Sequence, residues 1–169
     1  QNQSLDARNS LQLATELGKT LSQMEQAAIA HCDLAGSNIM IDRKRLKVEL
    51  IDIEDSFIHG IEPPTTGSIP LGTSGYQHSA SRALNYGLWC AQGDRFAGAI
   101  LLAELLTWHV PEIQAASDGA KHYFQDSDLE TPSTANSRFR LMVDVLKTGS
   151  TEIAELFTRT WTAPRLADC

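Results

Sequence analysis

The sequence predicts a mainly helical single domain: a helical bundle with one small β-hairpin near its start. Three observations carry that prediction. The chain has 169 residues, room for one core at roughly 100 to 200 residues per domain. Apolar side chains recur at spacings of three and four through several long segments, the period of an amphipathic helix. Only two short extended runs, residues 39–41 and 46–51, interrupt them.

In residues 10–29, Leu13, Leu17, Leu21, Met24 and Ala28 line one face of a predicted long helix, which Gly18 weakens without ending. Gly36 and Ser37 break that period in residues 31–38, and the polar residues 42–45 between the two extended runs predict a hairpin turn. Residues 55–78 carry Pro63, Pro64 and Pro70 with several Gly, Ser and Thr. That composition predicts an irregular loop, long enough to suggest a functional role. Residues 94–108 are apolar nearly all round, Glu104 excepted, and predict a central core helix. Residues 118–136 read as polar and irregular. Phe139, Met142, Val143 and Leu146 then predict a helix, and Ser150 the N-cap of another that buries Ile153, Leu156, Phe157 and Trp161.

Composition narrows the function. Hydrophobic residues make up 42% and charged residues 21% of the chain, ordinary globular usage, so it should fold. A net charge of −7 opposes binding to nucleic acid or anionic lipid, and neither is expected as a partner. Cys32, Cys90 and Cys169 form no Cys-x-x-Cys pair, which argues against a disulfide framework or zinc knuckle and fits a reducing cytoplasmic location. The longest apolar stretch, residues 96–106, is too short to span a bilayer. The polar residues 1–8 lack a signal-peptide core and read as a cut inside a longer protein. His59, His78, His109 and His122 lack metal-ligand spacing and are expected on the surface, whereas Trp89, Trp108 and Trp161 are expected to fill the core.

The informative stretch is His31-Cys32-Asp33-Leu34-Ala35-Gly36-Ser37-Asn38, then the hairpin, then Ile51-Asp52. It supplies what phosphoryl transfer needs: a carboxylate that can orient and deprotonate a hydroxyl, and an amide oxygen with a second carboxylate that can hold Mg²⁺ on phosphates. Asp33 and Asn38 share one tight loop, and the hairpin is expected to return Asp52 beside them.

This order resembles the C-terminal lobe of eukaryotic-type (Ser/Thr-like) protein kinases, whose His-Arg-Asp-Leu-x-x-x-Asn loop and following metal-binding Asp form the template being matched. Asn38 lies five residues after Asp33, the kinase spacing. Gly72-Thr73-Ser74-Gly75-Tyr76 looks like the Gly-Thr-x-x-Tyr of the substrate-docking segment, and residues 94–106 are similar to the family's buried central helix with its leading Asp. The resemblance implies that residues 1–169 are a kinase-like C-terminal lobe, with the N-terminal lobe absent from this chain. It further implies Asp33 as catalytic base, Asn38 and Asp52 as ligands of Mg²⁺ and so of ATP, Thr73 as a hydroxyl bonded to the base, and Asp94 as a tie to the backbone near His31. A protein or peptide would be the substrate. The fragment alone would be inactive, because a Gly-rich loop and a strand Lys are not in it, and its exposed lobe interface would favour self-association.

Four departures accompany the matches. Cys32 replaces the Arg that usually grips a phosphorylated activation loop, so a phosphate on Thr65, Thr66 or Ser68 would lack its main partner. Ala35 stands where a Lys flanks the transferred phosphate, which predicts weaker catalysis. Ile53-Glu54 replaces Phe-Gly after the metal Asp, and Ser79-Ala80 replaces Pro-Glu at the end of the docking segment. Two other readings stand beside the kinase: a pseudokinase that binds partners without transfer, suggested by Ala35, Glu54 and Ala80, and a small-molecule phosphotransferase of the aminoglycoside or choline type, suggested by Ile51-Asp52-Ile53-Glu54.

Overall fold

A computed structural model describes residues 5–62, 70–79, 87–117 and 122–169. Pro63, Pro64, Thr65, Thr66, Ser68 and Ala80 lie outside the described residues, and with them the proposed phosphate acceptors of the loop.

The described residues form six α-helices and two short antiparallel ladders. Helix α1 (Ala7–Gln26) starts three residues earlier than its apolar period suggests, because the Asp6 side chain accepts from the Asn9 backbone N–H at 2.7 Å and caps it. Strand β1 (Ile29–Ala30) follows, then the loop of residues 31–38, which ends in a single 3₁₀ turn (Gly36–Asn38). Strands β2 (Ile39–Asp42) and β3 (Lys47–Leu50) are the expected hairpin, in a register that pairs Ile39 with Leu50. Its turn is held by Asp42, whose Oδ1 accepts from the Lys44 and Arg45 backbone N–H groups at 2.9 and 3.0 Å. Strand β4 (Phe57–Ile58) returns to pair with β1. This second ladder pairs Ile29 with Ile58 and Ala30 with Phe57, far apart along the chain, and no local pattern signals it.

Helix α2 (Arg95–Thr107) is the core helix, packed on α1 and on the C-terminal pair α5 (Ser137–Gly149) and α6 (Thr151–Trp161). Ser150 caps α6 through the Ile153 backbone N–H at 3.3 Å, as the sequence predicts. Two short helices, α3 (Pro111–Ala116) and α4 (Asp126–Glu130), were not predicted, and α4 sits inside the segment expected to be irregular. Phe124, Phe139, Phe157 and Trp161 stack into one aromatic cluster, with Trp161 against Phe124 at 4.6 Å between centroids.

Three burial expectations need correction. Leu156 is exposed on the outer face of α6. Trp89 and Trp108 are only partly buried, at the core's edge, and Trp161 alone is fully inside. His78 is buried, packed edge-on against Phe96 and bonded through Nε2 to the Ala163 carbonyl at 2.9 Å. Its histidine lacks a sequence period that would mark it as inward-facing. Among the described residues no helix is long and apolar enough to cross a membrane, and all three cysteines are free.

Candidate active site

The two ladders act as clamps. Ala30 pairs with Phe57 on one side and Ile39 with Leu50 on the other, so residues 31–38 and 51–56 are each held at both ends and brought alongside one another. Within that frame Ile51 is tied twice. Its backbone N–H donates to the Asn38 carbonyl at 3.0 Å, and its own carbonyl accepts from His31 Nε2 at 2.8 Å. Those two bonds set the direction in which the next residue, Asp52, leaves the hairpin.

Asp33 is half-buried, and both of its carboxylate oxygens have a donor. The Thr73 hydroxyl donates to Oδ1 at 2.7 Å, across 40 residues of sequence. Asn38 Nδ2 donates to Oδ2 at 3.2 Å and to the Asp33 backbone carbonyl at 2.7 Å. Asn38 itself is buried. With its nitrogen committed to Asp33, its oxygen faces the other way, where the Ser37 hydroxyl donates to it at 3.2 Å.

Asp94 holds the loop from beneath. Its two oxygens accept from the His31 backbone N–H at 2.6 Å and the Cys32 backbone N–H at 2.9 Å. Burial pushes the Asp94 carboxyl up, and the two amide bonds oppose that push by stabilising its charged form. These bonds also hold Cys32 in the left-handed region, at φ 66°, which a non-glycine residue adopts at a cost of about 1 kcal/mol or more. Asp52 is in the same region, at φ 64°. Among the described residues Ala28 and Leu46 also have positive φ, at 51° each, so this backbone conformation is not confined to the cluster.

Cys32 is fully buried, its thiol donating to the Leu88 carbonyl at 3.1 Å and pushed up to about 12 by burial. It is a structural thiol without nucleophilic character. Ala35 is likewise buried.

Asp52 is exposed, as are Ile51, Ile53 and Glu54. Its carboxylate and the Asn38 amide oxygen are hard donors of the kind that Mg²⁺ takes, one or two from protein and the rest from phosphates and water. Among the described residues no three His, Cys, Asp or Glu side chains come together into a self-sufficient metal cage.

The His31 ring is fully buried and acts structurally, through its bond to the Ile51 carbonyl. Sequence reasoning missed Glu104, buried in α2, where its Oε2 accepts from the Tyr76 hydroxyl at 2.9 Å. A carboxylate in a helix apolar on every other face was the available signal, since a buried charge needs a partner.

Neither a protein-family model nor a curated protein sequence matches the chain.

Proposed function

We propose that the chain is the catalytic-loop lobe of an ATP-dependent phosphotransferase of the Ser/Thr protein kinase type, and that it works in the cytoplasm on a protein or peptide hydroxyl. The observation that carries this reading is the Thr73–Asp33–Asn38 bond cluster, set on a loop whose backbone Asp94 fixes. Each Asp33 oxygen receives one donor and keeps a lone pair, so the carboxylate is oriented without being used up. In this reading Asp33 aligns the acceptor hydroxyl and takes its proton, while Thr73 and Asn38 stop the carboxylate from rotating away. Asn38 and Asp52 would hold Mg²⁺, which supplies charge neutralisation on the nucleotide phosphates when bound. Ala35 leaves the transferred phosphoryl group without a nearby cation from this loop, so turnover is expected to be slow.

Thr73 favours the protein kinase reading over the small-molecule one, because it ties a peptide-docking segment to the base. In this reading the grip on the adenine and on the α- and β-phosphates would fall to a second lobe, and the exposed Met40, Ile51 and Ile53 would be surface for it to cover.

The test uses the full-length protein with Mg²⁺, γ-labelled ATP and a Ser/Thr peptide library. Asp33→Asn is expected to abolish transfer while keeping the melting shift induced by Mg²⁺-nucleotide, because a base acts in the transition state. Asp52→Asn is expected to lose most of that shift. Transfer at wild-type rates by both variants would overturn the assignment. A wild type that binds nucleotide or protein partners without transfer would replace it with the pseudokinase reading, and transfer only to an amino sugar or choline with the small-molecule one.

A further inference from the structure

Residues 72–76 are held from two sides. Thr73 turns its hydroxyl to Asp33 Oδ1 at 2.7 Å, which ties the segment to the base. The backbone then folds back, with the Tyr76 N–H donating to the Thr73 carbonyl at 3.0 Å and Gly75 at φ 80°. That turn brings two donors onto one oxygen of Asp126. The Ser74 hydroxyl donates to Asp126 Oδ1 at 2.8 Å, and the Gly75 backbone N–H to the same atom at 3.3 Å. Gly75 is buried, and a β-carbon there would lie 2.5 Å from His122 Cβ and 3.0 Å from the Phe124 carbonyl oxygen. Only glycine lets the turn approach the chain leading into α4 this closely. Ser74 is exposed, so its place is set by its bond and not by packing.

Asp126 is the first residue of α4, and α4 is itself fixed. Asp128 Oδ1 accepts from Asn136 Nδ2 at 2.6 Å, and its Oδ2 accepts from Arg138 Nη1 at 2.8 Å and from the Gln125 backbone N–H at 2.9 Å. Asn136 is also the N-cap of α5, where its Oδ1 accepts from the Phe139 N–H at 3.0 Å. Leu129 is buried. These bonds join α4 to the start of α5, and Asp126 extends that support to Ser74 and Gly75.

We propose that Asp126 is a positioning residue for the acceptor peptide, its Oδ1 holding the Ser74–Gly75 turn of the docking segment to α4. This rests on the protein-kinase-type reading of Asp33 and Thr73. Two anchors then act on one short segment: Thr73 sets its distance from the base, and Asp126 sets the orientation of the surface that the peptide meets. Without Asp126 the Thr73 bond remains, so transfer to a bound acceptor continues, but the turn spends part of its time in orientations that do not receive the peptide. Apparent peptide affinity falls with the fraction of receptive turn, while nucleotide binding stays as it is.

The experiment compares the full-length protein with its Asp126→Ala, Asp126→Asn and Ser74→Ala variants, by steady-state kinetics with ATP and a Ser/Thr peptide and by hydrogen exchange at the Gly75 amide. Asp126→Ala is expected to raise the peptide KM about fivefold, the effect of losing exposed charge-assisted bonds, with kcat within about twofold and KM for ATP unchanged. Exchange at Gly75 should quicken in the same variant. Asp126→Asn keeps the accepting oxygen and should restore most of both. Ser74→Ala removes one of the two bonds and should raise the peptide KM by less, and added to Asp126→Ala it should bring no further increase, because its partner has gone. A carboxylate that only stabilises α4 would lower the melting temperature and leave the peptide KM and Gly75 exchange unchanged, which would overturn the proposal, as would strictly multiplicative effects of Ser74→Ala and Asp126→Ala. A wild type without transfer would overturn the kinase-type reading and this role together, whereas an active wild type whose peptide KM is insensitive to Asp126→Ala would overturn this role alone.

Discussion

Glu104 is a carboxylate in the most apolar helix of the molecule, and burial pushes it up to about 7 from an ordinary value near 4.5, with the Tyr76 hydroxyl and the Tyr123 N–H opposing part of that push. A raised carboxyl binds its proton more tightly in the folded than in the unfolded chain. Its contribution to stability is therefore complete below about pH 4.5 and is lost as pH rises through about 7. The size of the loss is on the order of 3 kcal/mol for a fully buried group shifted this far. Glu104→Gln keeps the shape and an oxygen for Tyr76 but carries no charge. We expect its urea midpoint to be nearly flat between pH 5 and 8, where the wild type falls, and parallel curves for the two proteins would refute the assignment. Single residues also mark the limit of reading by substitution. The exchange of Arg for Cys at position 32 reads as a lost phosphate grip, whereas in the fold Cys32 is a fully buried thiol bonded to the Leu88 carbonyl. Sequence position conveys the missing charge and says nothing of the burial.

At the scale of elements, the helices with long apolar periods were legible: those expected over residues 10–29, 94–108 and from Ser150 appear as α1, α2 and α6, with ends shifted by a few residues by caps such as Asp6. The hairpin was legible from its alternation and polar turn. What escaped was short or non-local. Helices α3 and α4, with 6 and 5 residues, are below the length at which a period shows, and the β1–β4 pairing depends on a contact that only the folded chain brings about. The turn before α2 shows how much the site depends on such a connection. A β-carbon on Gly93 would lie 2.2 Å from the Leu88 carbonyl oxygen, a backbone atom that cannot step aside. Gly93 directly precedes Asp94, the anchor of residues 31 and 32. Gly93→Ala is accordingly expected to cost about 2–4 kcal/mol by overpacking and to displace Asp94. Gly149→Ala, at the open end of α5 with nothing within 4 Å of the new methyl, should change stability by about 0.5 kcal/mol or less. Equal denaturation midpoints for the two variants would contradict this account of the turn.

Over the whole molecule, the site divides into a part that the sequence writes locally and a part that the fold supplies. The spacing of Asp33 and Asn38 on one loop is local, and so is the hairpin that returns Ile51. The bonds from Thr73 and Asp94 span 40 and about 60 residues, and were expected only because the order of motifs resembles a known arrangement. The same fold leaves apolar side chains outside: Met40 is 55%, Ile53 63%, Ile58 45% and Ile61 59% exposed. They come from β2, β4 and the segments flanking β4, while α1, α2, α5 and α6 pack against one another and leave Leu11 and Leu156 exposed on α1 and α6. An isoleucine moved from water into a contact contributes roughly 1.5–3 kcal/mol, so a few such residues outweigh the mutual repulsion of two chains that each carry a net charge of −7 in physiological salt. The isolated chain is therefore expected to associate with itself at tens of micromolar and to bind an apolar dye, with Mg²⁺-ATP bound only weakly. Met40→Ser with Ile53→Ser should abolish both dye binding and association while leaving the melting temperature within a few degrees, since neither side chain belongs to the core. Sedimentation and dye fluorescence on the two proteins check this, and a strictly monomeric, dye-free wild type at millimolar concentration would show that this surface needs no partner.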